Sequence, residues 1–329
     1  MSRAKLQHLG IELPPLPTTS VGSFPKPDYL LKARADFAQK QIAADALHAA
    51  EQRATEFWIR KQEELGLDVL VDGEMYRGDM TAYFADNLAG FAQGGLVRSY
   101  GNRYYHKPII TGAIAWKGPI ALDWWRYAQG LTRKPVKAIL TGAYTMMDWS
   151  FNEFYPTRRD ACLALAREIR KEVEALIQAG CKFVQLDEPA VSVRPAELPL
   201  AVEAMRLMTH DLDAYFFTHI CYGDFERIYP AMLELAVDNF DLEMSNSGLD
   251  MLDLFRKNAF RKDISYGVVD VHSHVVEDSG TATQRLQQGL AVLPRENVWV
   301  DPDCGLKTRT TNEAIAKLGA VVAAAQAMR

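Results

Sequence analysis

The chain has 329 residues, 48% of them hydrophobic, and a formal net charge of −5. This length is enough for a large core and allows either one large α/β barrel or two ordinary domains. The acidic balance gives no support for nucleic-acid binding, and no apolar run of about 18 residues is present to span a membrane. The first residues lack the apolar segment of a signal peptide, and four cysteines are too few for a disulfide framework. We therefore expect a reducing, cytoplasmic location.

Short apolar runs recur along the chain, each followed by a stretch with helical spacing. Eight of them are predicted as strands: Thr18–Phe24, Val69–Asp72, Val136–Thr141, Phe183–Asp187, Tyr215–Ile220, Phe240–Glu243, Ser265–Asp270 and Val298–Asp301. The clearest helical spacing runs from Leu165 to Ile177 and ends before Gly180, where a helix cap belongs. The Ala-rich segment Asn312–Met328 is predicted as a closing helix. Eight repeated βα units predict a (β/α)₈ barrel with a parallel sheet.

One region interrupts the alternation of strand and helix. Within residues 94–115, the pair Gly101-Asn102 separates two strand-like runs, which is typical of a β-hairpin. We interpret this region as an insertion after the second strand. No linker-like stretch divides the rest of the chain, so residues 1–329 are predicted to form a single domain.

Polar side chains follow nearly every predicted strand. Asp72 ends the second strand and Glu74 comes just after it, and Asp187 ends the fourth strand. Asp270 ends the seventh strand, and His272 comes just after it. The active sites of (β/α)₈ barrels lie at the C-terminal ends of their strands. Because these ends would not all be polar if the face were merely packed, the sequence predicts an enzyme.

Four possible ligands for a soft metal lie near strand ends. His219 and Cys221 stand two positions apart, so on a strand they point to the same face. Cys304 lies in a glycine-containing loop, and Glu243 ends another predicted strand. Two thiolates, an imidazole and a carboxylate suit tetrahedral Zn²⁺. A carboxylate after a strand is also typical of a helix cap or an ion pair, so the residues alone leave Glu243 open.

The remaining polar residues fit a substrate that carries a thiol on an amino acid. Zinc deprotonates a bound thiol and leaves the sulfur nucleophilic. Glu74 and Asp187 are candidates to hold the ammonium group of such a substrate. The backbone near Gly22 and the hydroxyl of Ser23 are candidates to hold its carboxylate.

A histidine completes this chemistry. His272, oriented by Asp270 two residues earlier, is placed to carry a proton to a leaving group. The combination of a zinc site, two carboxylates and a proton carrier indicates alkyl transfer to a thiol amino acid.

The chain resembles the catalytic C-terminal barrel of cobalamin-independent methionine synthase. The resembling motifs run in order through residues 17–25, 72–74, 134–137, 187–190, 219–222, 270–273 and 303–309. The resemblance implies the zinc ligands His219, Cys221, Glu243 and Cys304. It implies homocysteine contacts from Val21, Gly22, Ser23, Glu74 and Asp187. It also implies a proton-relay role for His272 and donor-side roles for Arg103 and Trp149.

Two departures from this family concern the methyl donor. The long synthases carry a second, N-terminal barrel that helps to bind folate, and this chain is too short to contain it. The carboxylate that contacts folate in the family is replaced by Val193. The chain therefore resembles the short "core" methionine synthases, and we expect a donor other than methyltetrahydrofolate. A methylated corrinoid, either free methylcobalamin or a partner protein that carries it, is the donor this resemblance suggests.

These observations predict a zinc-dependent methyltransferase that makes L-methionine from L-homocysteine. One alternative is a zinc alkyltransferase that acts on another thiol, such as coenzyme M, although a sulfonate thiol has no ammonium for Glu74 and Asp187 to bind. A second alternative is a barrel of the uroporphyrinogen decarboxylase type, which needs no zinc. A third is a non-catalytic protein with a structural zinc, whose metal shell homocysteine would leave unchanged.

Overall fold

The computed structural model describes residues 2–98, 104–221 and 223–329. The α-helices in these ranges are α1 Ser2–His8, α2 Asp28–Ala38, α3 Ala44–Leu65, α4 Met80–Asn87, α5 Leu122–Gly130, α6 Ala143–Asp148, α7 Arg158–Gln178, α8 Leu198–Thr209, α9 Met251–Lys257, α10 Ser279–Leu290 and α11 Thr311–Met328. The strands are β1 Leu70–Val71, β2 Leu88–Arg98, β3 Tyr104–Trp116, β4 Val136–Thr141, β5 Phe151–Asn152, β6 Phe183–Asp187, β7 Tyr215–Ile220, β8 Asn239–Leu242, β9 Asp263–Val269 and β10 Val298–Pro302. No helix in the described ranges has the length and apolar character needed to cross a bilayer.

The main sheet is seven-stranded, in the order β1-β4-β6-β7-β8-β9-β10. The pairs β1–β4, β4–β6, β6–β7 and β9–β10 are parallel. Strands β4, β6 and β7 have the predicted bounds, and the other four differ from prediction by one or two residues at an end. The α/β class and the parallel sheet are therefore confirmed.

By its contacts, the chain divides into two compact units. The first comprises residues 2–76, 124–137 and 241–329, and the second comprises residues 77–123 and 138–240. Strands β4 and β8 each cross a boundary between these ranges.

In the first unit, the predicted first strand, Thr18–Phe24, forms two isolated bridges instead of a ladder. Thr18 bridges Val300 in β10, and Ser23 bridges Gly73. Leu16 and Pro17 directly precede this segment. Leu16 has a left-handed φ of 52°, and Pro17 has no N–H to donate. The backbone of Thr18 nevertheless has partners on both sides, since its carbonyl accepts from Val69 N–H at 3.0 Å.

In the second unit, β2 and β3 pair antiparallel over a span wider than residues 94–115. A short strand, β5, adds to β3 and makes a separate three-stranded sheet. The connection between β2 and β3, residues 99–103, lies outside the described residues. Against these strands packs α7, which buries Leu165, Ile169 and Val173 as the helical spacing predicts.

A buried carboxylate on α7 fixes the start of α5. Glu172 is 1% exposed, and its two oxygens accept hydrogen bonds from the backbone N–H groups of Ile120, Ala121 and Leu122. The indole N–H of Trp116 donates to the same carboxylate at 2.8 Å. Four donors compensate the burial of one charge, which would otherwise be costly.

Candidate active site and metal centre

Ser23 and Glu74 lie on neighbouring backbone segments of the first unit. The bridge between Ser23 and Gly73 is parallel, and Phe24 N–H donates to the Gly73 carbonyl at 3.1 Å. Glu74 has a φ of 61°, a left-handed conformation that a residue other than glycine keeps only where its surroundings hold it. One such contact is from the Glu74 N–H to Asp72 Oδ1 at 2.9 Å.

The loop that carries Cys304 closes onto the same segment. Leu306 N–H donates to the Ser23 carbonyl at 2.7 Å. A Cβ atom on Gly305 would lie 2.1 Å from Ser23 Oγ, so any side chain at this position would force the Ser23 hydroxyl to move. Val21 and Gly22 are buried just before Ser23. The structure therefore places a predicted zinc ligand next to a predicted homocysteine contact.

Glu243 follows β8, and its partner is His272. Its Oε1 lies 3.0 Å from His272 Nε2, and its side chain is only 5% exposed. This hydrogen bond raises the pKa of the His272 imidazole above its ordinary value, against the opposing effect of burial. Asp270 acts on the backbone, because its Oδ1 accepts from His272 N–H at 2.7 Å. Asp270 thus shapes the turn, while Glu243 contacts the ring.

Sequence reasoning missed Asp303, which holds the backbone around Glu243. Its Oδ1 accepts from Met244 N–H at 3.0 Å and Ser245 N–H at 2.9 Å, and its Oδ2 accepts from Asn246 N–H at 2.6 Å. Asp303 is fully buried, and this desolvation raises the pKa of its carboxyl to about 7. The sequence signal is an acidic residue directly before Cys304, but the N–H groups that donate to it lie about sixty positions earlier, and no local pattern marks them.

In the second unit, Asp187 ends β6 and Glu188 directly follows it, and the two side chains make different contacts. Asp187 Oδ1 accepts from the side-chain amide of Gln185 at 2.7 Å. Glu188 turns to the start of α6, where its carboxylate accepts from Tyr144 N–H at 3.1 Å and from Thr145 N–H at 2.8 Å. Burial raises the pKa of Glu188 to about 7. Glu188 therefore has a structural task, and Asp187 is the member of the pair left for a substrate.

His219 lies in β7, the next strand of the sheet, and Cys221 directly follows that strand. Both are buried, with 4% and 8% exposure, and the His219 carbonyl accepts from Glu188 N–H at 3.0 Å. Within the described ranges, the ligand atoms of His219, Cys221 and Cys304 all lie within 4.8 Å of one another. Glu243 is not a member of this group.

The donor set of this group fits zinc. Two sulfur atoms and an imidazole nitrogen are soft to borderline ligands, and three protein ligands leave a position for a substrate in a tetrahedral shell. The other two cysteines are poor candidates, because burial raises the pKa of the Cys181 thiol to about 12 and also raises that of Cys162. All four cysteines are free thiols.

Of the two residues predicted for the donor side, Trp149 and Arg103, the structure describes only Trp149. Trp149 is partly exposed and directly follows α6, where its N–H donates to the Thr145 carbonyl at 2.9 Å. Arg103 lies outside the described residues. Val193, at the position where the family has a carboxylate, is half exposed.

Comparison with known proteins identifies the class to which this fold and site belong. Residues 16–327 match the family model described as "Cobalamin-independent synthase, Catalytic domain". The chain belongs to this family.

Two curated relatives illustrate the similarity. The chain is 42% identical to the 5-methyltetrahydropteroyltriglutamate–homocysteine methyltransferase of Mesorhizobium japonicum, over 99% of this chain and 44% of that protein. It is 39% identical to the protein of the same name from Buchnera aphidicola, over 99% of this chain and 45% of that protein. The chain thus spans about half the length of the curated relatives it matches.

Solved structures support the fold. A B12-independent methionine synthase from Shewanella, in complex with selenomethionine, superposes with a TM-score of 0.86 at 22% identity, over 96% of this chain and 98% of that one. A protein described as a vitamin-B12-independent methionine synthase from Listeria monocytogenes gives a TM-score of 0.78 at 21% identity, over 97% and 99% of the two chains. At these identities the likeness shows the fold alone.

The family bears on the predicted donor. Because its description reads "cobalamin-independent", the prediction of a methylated corrinoid, free or carried by a partner protein, is not supported. The expectation that methyltetrahydrofolate is not the donor also gains no support, since the relatives are named for a methyltetrahydropteroyl compound.

Proposed function

We propose that this protein transfers a methyl group to the thiol of L-homocysteine and releases L-methionine, with zinc as its cofactor. The observation that carries the proposal is the group of His219, Cys221 and Cys304, whose ligand atoms lie within 4.8 Å of one another. Family membership and the names of the relatives supply the acceptor, homocysteine. They also favour methyl transfer over the decarboxylase alternative.

The zinc would be held by these three side chains, with Glu243 as the fourth predicted ligand. When bound, zinc supplies a Lewis acid that lowers the pKa of a thiol and keeps the sulfur nucleophilic. Glu243 also keeps His272 in place, since its carboxylate accepts a hydrogen bond from the imidazole. Two cysteine ligands suit a reducing compartment, so we propose that the protein works in the cytoplasm.

The amino-acid end of homocysteine would be held by the strand ends. The carboxylates of Glu74 and Asp187 hold its ammonium, and both are more than 90% buried, so the ion pair would be desolvated and strong. The backbone of Val21 and Gly22 and the hydroxyl of Ser23 hold its carboxylate. The contact of Gly305 with Ser23 keeps this anchor within reach of Cys304.

We assign the transfer of a proton to the leaving group to His272. Its side chain is 29% exposed, so part of the ring reaches solvent while Nε2 is hydrogen-bonded to Glu243. An imidazole in this position carries a proton to the leaving group as the methyl group departs. Asp270 fixes the turn that presents this ring.

For the donor, we propose a methyltetrahydropteroyl compound of the kind for which the relatives are named. Trp149 and Arg103 are the residues assigned to this side. Val193 replaces a carboxylate there, and its half-exposed apolar side chain would favour contact with an aromatic ring over pairing with a charge. We expect weaker binding of the pterin than a carboxylate at this position would give.

For the architecture, we propose a single-domain (β/α)₈ barrel in which Thr18–Phe24 takes the place of the eighth strand. The supporting observation is that Thr18 bridges Val300 in β10, while its carbonyl accepts from Val69 N–H beside β1. These two strands are the edges of the seven-stranded order. The antiparallel pair β2–β3 is then the hairpin insertion.

The test is methionine formation by the zinc-loaded protein with L-homocysteine and a methyltetrahydropteroyl donor that has one or three glutamates. Turnover with either donor supports the proposal. No turnover with any donor, and a sulfur shell around zinc that homocysteine leaves unchanged in X-ray absorption, would reject it. Coenzyme M as acceptor and methylcobalamin as donor are the comparison arms, and turnover confined to either would assign a different reaction.

A further inference from the structure

Lys317 is a buried lysine in the middle of α11. It is 0% exposed, and it is the single charged residue in the apolar stretch from Ala314 to Ala325. Burying an ammonium is strongly unfavourable unless it is paired and hydrogen-bonded. Such a residue in a helix that could bury an apolar side chain therefore needs an explanation from its contacts.

Its contacts converge on the turn that carries His272. Lys317 Nζ donates to the Asp270 carbonyl at 2.7 Å and to the Val275 carbonyl at 2.5 Å. It also pairs with Glu277 Oε2 at 2.8 Å. All three hydrogens of the ammonium are therefore used, and two of them hold the backbone on either side of His272.

Glu277 extends this hold to the start of the turn. Its Oε1 accepts from Asp270 N–H at 2.7 Å and from Arg285 Nη1 at 3.0 Å. Asp270 is thereby held at both its N–H and its carbonyl, and its side chain in turn accepts from His272 N–H. We call Lys317, Glu277 and the peptide groups of Asp270 and Val275 the lysine clamp.

We propose that Lys317 is a positioning residue for His272, acting through the lysine clamp. The proposal rests on the proton-carrying role assigned to His272 above. A ring that must meet both Glu243 and a leaving group needs a fixed backbone, because a displacement of about 1 Å can cost on the order of 100-fold in rate. The lysine clamp fixes this backbone by means of a side chain on α11, about 45 residues further along the chain. None of the site residues named above lies on that helix.

The test replaces Lys317 with Met, which keeps the length of the side chain and removes the ammonium. Hydrogen exchange by mass spectrometry should show faster exchange in residues 270–276 and unchanged exchange in β9. The kcat for methionine formation should fall about 10- to 100-fold, with the KM for homocysteine changed less than about threefold. Lys171→Met, an exposed lysine on α7, is the matched control and should change neither quantity.

A double-mutant cycle separates positioning from general stability. In a His272→Ala background, Lys317→Met should lower kcat no further, because the ring it positions is already gone. An equal fall of kcat in both backgrounds, or faster exchange of the turn with unchanged kcat, would overturn the proposal. If His272→Ala alone leaves kcat unchanged, the role assigned to His272 fails, and the exchange data still report on the clamp.

A second variant allows the proposal to be tested even if Lys317→Met does not fold. Glu277→Gln keeps the side-chain shape and removes its charge, and it should loosen the same turn and lower kcat in the same direction. If Lys317→Met does not give the circular dichroism spectrum of the wild-type protein, Glu277→Gln takes its place in the cycle. A folded Glu277→Gln variant with wild-type exchange and kcat would also overturn the proposal.

Discussion

The carboxylate of Glu243 and the imidazole of His272 are hydrogen-bonded, with 3.0 Å between Oε1 and Nε2. The sequence suggested separate tasks for them, one as a metal ligand and the other as a proton carrier. Their contact makes the two tasks interdependent, because one oxygen of the carboxylate is already engaged. The same carboxylate then has one oxygen to offer to a metal, and substitutions at either residue will affect both functions.

Replacing Cys304 with Ser should remove most of the zinc and most of the activity. A serine hydroxyl is a far weaker zinc ligand than a thiolate, and the remaining predicted ligands, His219, Cys221 and Glu243, would include only one thiolate. Zinc content after dialysis and turnover with homocysteine would measure both effects. The matched control is Cys162→Ala on α7, which should keep full zinc; full occupancy in Cys304→Ser as well would reject Cys304 as a ligand.

Replacing Asp187 with Asn should raise the KM for homocysteine about 10- to 100-fold. The change keeps the shape and the contact with Gln185 but removes the charge that would pair with the ammonium, and hydrogen bonds to charged groups contribute about 1.5–3 kcal/mol. The measurement is steady-state kinetics together with calorimetric binding. A comparison with a thiol that lacks the ammonium is the control, since its KM should be the same for both proteins. An unchanged KM for homocysteine would falsify the anchoring role.

Replacing Gly267 with Ala should disturb the backbone around Glu243. The added Cβ would lie 2.1 Å from Asp303 Oδ1 and 2.8 Å from Asp303 Cα, so the residue that holds Met244, Ser245 and Asn246 would have to move. We expect a loss of about 1–3 kcal/mol in the free energy of unfolding, as for other overpacked sites, together with weaker zinc binding. Urea unfolding and chelator competition measure these. Gly130→Ala, with no atom within 4 Å of the new Cβ, is the control.

Replacing Glu172 with Ala should destabilise the second unit without affecting zinc. Four donors would lose their acceptor in a buried site, which costs about 3 kcal/mol or more. Denaturant unfolding would measure the loss. Glu174→Ala, on the same helix but partly exposed and paired with Arg170, should cost less than about 1 kcal/mol. Equal stabilities of the two variants would show that the carboxylate of Glu172 is not needed by α5.

The buried carboxyl of Glu188 should make stability fall as the pH rises. Its pKa is about 7 in the folded protein against an ordinary 4.5, so between these values the native state keeps a proton that the unfolded state has released. The free energy of unfolding therefore decreases through this window, by about 3 kcal/mol from this group, and is constant above it.

Glu188→Gln removes this titration, so its stability should depend less steeply on pH between about 4.5 and 7. Thermal or urea unfolding at half-unit intervals would measure the two slopes. Parallel curves for the wild-type protein and the variant would show that Glu188 does not titrate in this range. Glu174→Gln, at a partly exposed position, serves as the control.

Local patterns were sufficient to predict the sheet. Short apolar runs bounded by turns gave seven of the strands, three of them with the observed bounds. The exception, Thr18–Phe24, forms two isolated bridges instead of a continuous ladder, a difference that the apolar pattern does not reveal. The alternation of side chains along a strand also suggested that Asp187 and Glu188 differ in their partners.

The contacts that hold the site were beyond such patterns. Asp303 with Met244, and Lys317 with Asp270, are each joined across about fifty or sixty positions. Sequence spacing carries no information on which distant peptide N–H or carbonyl a buried charge will reach. The sequence shows Lys317 only as a single charge in an apolar helix, and this does not indicate which residues its ammonium contacts.

The backbone contacts of Thr18 have a consequence for how the chain acquires its structure. Val300 N–H donates to the Pro17 carbonyl and Thr19 N–H donates to the Val300 carbonyl, so two segments about 280 positions apart pair with each other. During synthesis at the ribosome the first segment must wait, with its peptide groups unpaired, until β10 has emerged. Contacts between residues so far apart in sequence slow folding and prolong the lifetime of aggregation-prone intermediates. A circular permutant that joins residue 329 to residue 1 and opens the chain elsewhere would bring these two segments closer along the chain, and its refolding should be faster.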